Sequence, residues 1–210
     1  MLLDANSITP KSEQPPKGLL VILHGWGANG KDVEALAAYL NLENYHLIFP
    51  DAPFPYAYTL EGRQWYDLSS PTYEGLEDSR IILRQWLESL EGETGIPLER
   101  TVLAGFSQGG AMTLDVGFTL PIAGLCSLSG YLHYQPQDIG KNPPPTLIVH
   151  GKQDQVVPIT AAHQARDALT ALGANIEYHE LEMGHEIPTP DQMSPSPIEL
   201  MEKFVKSLLS

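Results

Sequence analysis

The chain has 210 residues, with 26 acidic and 12 basic side chains and a formal net charge of −14. That length fits one domain able to bury roughly 70% of its unfolded surface, and 42% hydrophobic with 18% charged residues suits a packed globule. The acidic excess is spread over both halves, so no basic footprint exists for phosphate backbones or anionic leaflets; nucleic acid and membrane surfaces are not expected partners.

The longest apolar runs, such as Leu19–Leu23, fall far short of the roughly 20 residues a spanning helix needs, so no stable membrane insertion is expected. Met1-Leu2-Leu3-Asp4 carries neither the positive start nor the apolar stretch of a secretory signal. The single cysteine, Cys126, excludes an intrachain disulfide and fits a reducing compartment. The expectation is a soluble cytoplasmic protein with one domain over residues 1–210, of which 1–17 form an N-terminal extension or an edge strand.

Short apolar runs alternate with stretches of helical period. Leu19–Leu23, Leu47–Phe49, Val102–Ala104, Ile122–Leu125, Leu147–Val149 and Ile176–His179 read as strands, several without polar alternation, as for strands covered on both faces. Val33, Leu36, Ala37 and Leu40 follow one helical face. So do Leu76, Leu83, Leu87 and Leu90, and later Ala162, Ala165, Leu169 and Leu172 ahead of a capping Gly173. Ser196-Pro197-Ile198-Glu199 is a capping box with proline at the first helical position. Strands alternating with helices predict an α/β fold with a mainly parallel, twisted sheet and helices on both faces. Residues 128–145 leave too little chain for a separate lid domain. In such sheets, ligands bind beyond the carboxyl ends of the strands.

Two glycine motifs compete for that edge. Gly25-Trp26-Gly27-Ala28-Asn29-Gly30 spells a dinucleotide turn, with Asp51 at a ribose-reading distance. His24, however, separates it from its strand, Lys31-Asp32 puts charges at the turn into the helix, and Asp51 lies between Pro50 and Pro53. An NAD(P)-dependent oxidoreductase is therefore the lesser reading, as is a non-catalytic binding protein on the same fold.

The second motif is Gly105-Phe106-Ser107-Gln108-Gly109, set between a strand and a helix-compatible stretch. A serine at such an elbow takes a strained conformation, and only glycines avoid collision two residues to either side. Its hydroxyl needs a base, and the base needs an orienting carboxylate. Asp154 follows the strand Leu147–Val149, and His185 follows Ile176–His179, giving the order serine, aspartate, histidine. The three converge on one edge of the sheet by topology. The Gln108 amide at a helix start and the Trp26 amide in the early turn are the expected oxyanion donors. Because those donors are backbone, Gln108→Ala is expected to cost far less than Ser107→Ala.

Leu23-His24-Gly25-Trp26-Gly27, Arg63-Gln64-Trp65-Tyr66-Asp67, Gly105-Phe106-Ser107-Gln108-Gly109-Gly110, Asp154-Gln155-Val156-Val157-Pro158 and Met183-Gly184-His185 together resemble the phospholipase/carboxylesterase family of α/β-hydrolases, from about Gly18 to the end of the chain. That family includes acyl-protein thioesterases and bacterial carboxylesterases. The resemblance implies Ser107 as nucleophile, His185 as base, Asp154 as its partner and the Trp26 and Gln108 amides as oxyanion donors. It implies a small ester or thioester as substrate, with lysophospholipids, acylated proteins and lipids all compatible. Trp26, Trp65, Tyr66 and Met183 are the candidates for contact with substrate. Where the family often has leucine this chain has Trp26, whose larger ring is expected to shorten or reshape an acyl groove.

The other histidines carry blander expectations. His24 and His150 end strands before glycine turns and are expected to be structural. His46, His133, His163 and His179 lack ligand spacing, and Pro188 and Thr189 spoil the zinc-helix pattern that His185-Glu186 opens. No metal and no cofactor is expected. Cys126 is expected in the core. Residues 50–75 hold six of the 17 aromatic residues, Phe54, Tyr56, Tyr58, Trp65, Tyr66 and Tyr73. That loop either walls an acyl pocket or packs its rings against the body.

Overall fold

The computed structural model describes residues 3–10 and 14–209. Seven strands form one sheet: β1 (Ala5–Ile8), β2 (Leu19–Leu23), β3 (His46–Pro50), β6 (Thr101–Phe106), β7 (Gly124–Leu128), β8 (Thr146–Gly151) and β9 (Ile176–Leu181). Their spatial order is β1-β3-β2-β6-β7-β8-β9. All neighbours run parallel except β1, which pairs antiparallel with β3 at the edge, Ala5 opposite Pro50. Two further two-residue strands, β4 (Phe54–Pro55) and β5 (Arg63–Gln64), make a small ribbon inside the aromatic loop.

The unbroken apolar run Leu19–Leu23 is explained by burial on both faces. Leu20 and Ile22 join a core beneath α1 (Gly30–Glu34) and α5 (Pro197–Leu208), with Val33, Met201 and Val205. Leu19, Val21 and Leu23 face the opposite core, under α2 (Leu76–Thr94) and α3 (Gln108–Gly117), with Leu83, Leu87 and Met112. Residues of α4 (Ile159–Ala171) cover the end of the sheet, Ala162, Ala165 and Leu169 packing on Ile148. Burying one such aliphatic side chain contributes roughly 1.5–3 kcal/mol.

Local signals place the helix ends. Ser196 Oγ accepts from Glu199 N while the Glu199 carboxylate accepts from Ser196 N, closing the capping box. Gly173 has φ +93°, a conformation that favours glycine just past a helix. Two elements differ from the sequence reading. The stretch around Val33–Leu40 is a short α-helix that tightens into a 3-10 turn over Ala35–Tyr39. The strand expected at Ile122–Leu125 begins at Gly124 and runs to Leu128, because its pairing with β6 starts opposite Val102; Ile122 is apolar for core packing instead. Among the described residues no helix is long and apolar enough to cross a membrane, and residues 129–145 contain neither helix nor strand.

Candidate active site

Ser107 stands where β6 turns into α3, at φ 53° and ψ −116°. Non-glycine residues enter that half of conformational space at a cost of order 1–3 kcal/mol, which the packing around the elbow must offset. A Cβ at Gly105 would stand 2.3 Å from the Gly109 carbonyl oxygen, and one at Gly109 2.4 Å from the Leu23 carbonyl oxygen. The two flanking glycines are thus steric requirements of the elbow. Ser107 N donates to Leu128 O at 2.9 Å, tying the turn to the neighbouring strand end.

Asp154 and His185 lie in the loops beyond β8 and β9. Ser107 Oγ is 2.9 Å from His185 Nε2, and His185 Nδ1 is 2.7 Å from Asp154 Oδ2. The other carboxylate oxygen, Oδ1, accepts from Val156 N at 2.9 Å and Val157 N at 2.8 Å. The buried carboxylate is therefore bonded on both oxygens, and its orientation is set by backbone. With Nδ1–H directed at Asp154, Nε2 is left as the acceptor facing the serine hydroxyl. The Phe106 ring packs against His185, centroids 4.9 Å apart, and limits its swing. A constellation in this geometry can pass the serine proton to the imidazole as Oγ attacks a carbonyl carbon.

His24 and His150 sit beside this line without joining it. His150 Nε2 donates to Val157 O at 2.8 Å and lies 3.5 Å from Asp154 Oδ2. His24 Nδ1 donates to Gly25 O at 2.7 Å, while its Nε2 accepts from Ala52 N at 3.0 Å. Burial lowers the pKa of both imidazoles, so each is held neutral as a brace of a strand end. Asp51, the ribose candidate of the dinucleotide reading, instead accepts from Gly30 N at 2.7 Å and is occupied at the start of α1. Gly27 takes φ +78° in the turn, its amide donating to Arg63 O at 2.9 Å. The glycines of the false motif fold the turn toward the elbow.

A largely apolar groove of about 430 Å³ opens beside Ser107 and His185. Trp26, Val33, Leu36, Leu68, Val156 and Ile187 form its walls. Trp26 is fixed by a bond from its indole Nε1 to Gln64 Oε1 at 2.8 Å and by an edge contact with Tyr56, centroids 4.9 Å apart. The other three candidates for substrate contact lie elsewhere, a correction to the sequence reading. Trp65, Tyr66 and Met183 are buried in the cores and do not line the groove. Tyr66 OH lies 2.6 Å from both His133 Nε2 and Tyr131 OH, and His133 Nδ1 is 3.1 Å from Asp115 Oδ2. Its hydroxyl is therefore taken up by an internal polar chain. Burial pushes the Tyr66 phenol pKa far up and that of Tyr131 up to about 12, so both stay neutral.

Sequence reasoning missed Leu68, Val156 and Ile187 as groove walls, because isolated apolar residues in loops have no periodic signal. The Gln108 side chain is fully buried. Its Oε1 accepts from Trp65 N at 2.9 Å and its Nε2 donates to Tyr66 O at 2.8 Å. Cys126 is buried in the sheet, and burial raises its thiol pKa. Among the described residues no group of three or more His, Cys, Asp or Glu side chains is placed to hold a metal ion.

Comparison with known proteins agrees with the geometry. The phospholipase/carboxylesterase family matches residues 4–203. An acyl-protein thioesterase 1 homolog of Dictyostelium discoideum is 31% identical over 97% of this chain and 96% of its own. The crystal structure of esterase PE8 superposes with a TM-score of 0.87 at 28% identity, covering 99% of this chain and all of that one. That of Zea mays acyl-protein thioesterase 2 gives 0.76 at 26% identity, over 99% of both chains. The fold is that of the α/β-hydrolases, and nothing in these likenesses favours a dinucleotide-dependent oxidoreductase. The chain is a carboxylesterase- or thioesterase-like serine hydrolase and belongs to the phospholipase/carboxylesterase family.

Proposed function

We propose that Ser107 is the nucleophile of an ester- and thioester-cleaving reaction, with His185 as general base, Asp154 as its orienting partner and the amides of Trp26 and Gln108 as oxyanion donors. The observation that carries this reading is the unbroken line from Ser107 Oγ to His185 Nε2 and from Nδ1 to Asp154. Attack by Oγ forms the acyl-enzyme while the proton moves to Nε2 and then to the departing alcohol or thiol. His185 next takes a proton from water as the water oxygen attacks the acyl carbon, then returns it to Ser107 Oγ as the Oγ–acyl bond breaks and the carboxylic acid departs. Gln108 opens α3, so its amide has no partner one turn earlier in the helix and is free to face the developing anion.

The apolar groove receives the acyl chain, with Trp26 as a fixed wall that favours short and medium chains. Acylated proteins or lipids are the substrate class this groove fits, and the reducing cytoplasm is the expected setting for a chain whose one cysteine is buried. The test is labelling with a fluorophosphonate together with hydrolysis of an ester series from acetyl to palmitoyl. Ser107 takes the label, and Ser107→Ala loses activity on the order of 10⁶ in kcat. Labelling elsewhere, or a Ser107→Ala protein that keeps most of its activity, would overturn the assignment.

A further inference from the structure

We propose that the Gln108 side chain is a positioning residue for the oxyanion hole, holding the turn that carries the Trp26 amide through the segment Arg63–Tyr66. The inference rests on the reading that the Trp26 and Gln108 amides receive the oxyanion. A primary amide buried without partners is costly, so a fully buried glutamine beside the nucleophile must be satisfied by specific groups. Both of its polar atoms are spent on one short stretch of main chain, Trp65 N and Tyr66 O.

That stretch is bonded to the oxyanion turn along its length. Arg63 accepts from Gly27 N at 2.9 Å and donates to Ala28 O at 2.8 Å. Gln64 accepts from the Trp26 indole at 2.8 Å. The Trp65 indole donates to His24 O at 3.0 Å, and Ser79 Oγ donates to Trp65 O. The circuit closes beneath the site, where Gly109 sits so near Leu23 O that a Cβ would stand 2.4 Å from it. One oxyanion amide thus belongs to Gln108, and the turn bearing the other hangs on a strut gripped by the side chain of the same residue. The elbow rests on a helix and a central strand, whereas Trp26 sits in a surface turn and is 38% exposed. Without the strut, only that second donor is free to drift, and a shift of about 1 Å in a catalytic group can cost on the order of 10²-fold.

The test uses the full chain with Gln108→Met, which keeps length and apolar bulk but makes neither bond, and Trp65→Phe, which removes only the indole donor to His24 O. Four quantities are measured: kcat, KM, affinity for a trifluoromethyl ketone carrying the preferred acyl chain, and affinity for the matching non-hydrolysable ether. The ketone forms a tetrahedral adduct whose oxygen needs both amides, whereas the ether does not. Gln108→Met is expected to lower kcat about 10- to 100-fold with KM within about twofold. Ketone affinity falls by the same factor as kcat/KM, and ether affinity is unchanged. Trp65→Phe shows the same pattern with a smaller loss, and the double variant loses less than the product of the two because both act on one strut. Wild-type kcat in either variant, or equal losses for ketone and ether, would overturn the proposal and leave Gln108 a packing residue. Should Gln108→Met fail to fold, Trp65→Phe decides alone on the same criteria. Absence of fluorophosphonate labelling at Ser107 in the wild-type protein is a separate result, which removes the underlying catalytic reading.

Discussion

Replacing Asp154 by asparagine separates the orienting role of this carboxylate from its structural one. The two backbone donors, Val156 N and Val157 N, meet Oδ1 at 2.9 and 2.8 Å, so the asparagine carbonyl oxygen takes that place and the loop keeps its shape. The new NH2 group then stands where Oδ2 was, 2.7 Å from His185 Nδ1. Two donors cannot face each other at that distance, so the imidazole adopts the tautomer with its proton on Nε2. That nitrogen, 2.9 Å from Ser107 Oγ, can no longer accept the serine proton. In triads of this kind the exchange costs on the order of 10⁴ in kcat, or about 5.5 kcal/mol of transition-state stabilisation. Hydrolysis of a p-nitrophenyl ester near pH 7.5, with a thermal melt of the same preparation, measures both halves of the expectation. A variant that melts like the wild type and retains activity within tenfold would refute the tautomer argument and the role of Asp154 with it.

Two further outcomes are expected. Trp26→Leu removes the ring that walls the groove while keeping its backbone amide, so kcat/KM shifts toward longer acyl chains across an acetyl-to-palmitoyl series; an unchanged chain-length profile would show that this ring does not set the limit. Burial holds the imidazoles of His24 and His150 below the ordinary value of 6.5, so unfolded chains take up protons that the folded protein refuses. Their contribution to stability is complete above pH 6.5 and is lost as pH falls below it, by up to about 1.4 kcal/mol per pH unit for each. A melting temperature that stays flat between pH 7 and pH 5.5 would contradict this.

Legibility in the sequence followed the range of the forces involved. The elbow glycines, the capping box at Ser196 and the apolar strands read correctly because each is governed by neighbours within a few residues. Boundaries such as Gly124 for β7 did not, since the strand starts where its partner β6 offers Val102 and not where the apolar run begins. The same holds for Trp65 and Tyr66. Both are aromatic residues in a long loop, a composition equally suited to walling a groove or filling a core. The bonds to Gln108, His24 and His133 decide for the core.

The excess of acidic groups argued against phosphate backbones and anionic surfaces as partners without naming any. Chain order brought Ser107, Asp154 and His185 to one edge, because in a parallel sheet every strand delivers its following loop to the same edge. Distances, tautomers and walls were decided only in three dimensions. The imidazole is bonded to Asp154, the groove is lined by scattered loop residues, and the turn bearing Trp26 is bonded to a segment some forty residues away along the chain, beside the bond from Trp65 to His24. Contacts between residues so far apart in sequence leave no periodic or local trace, and folding alone brings them together.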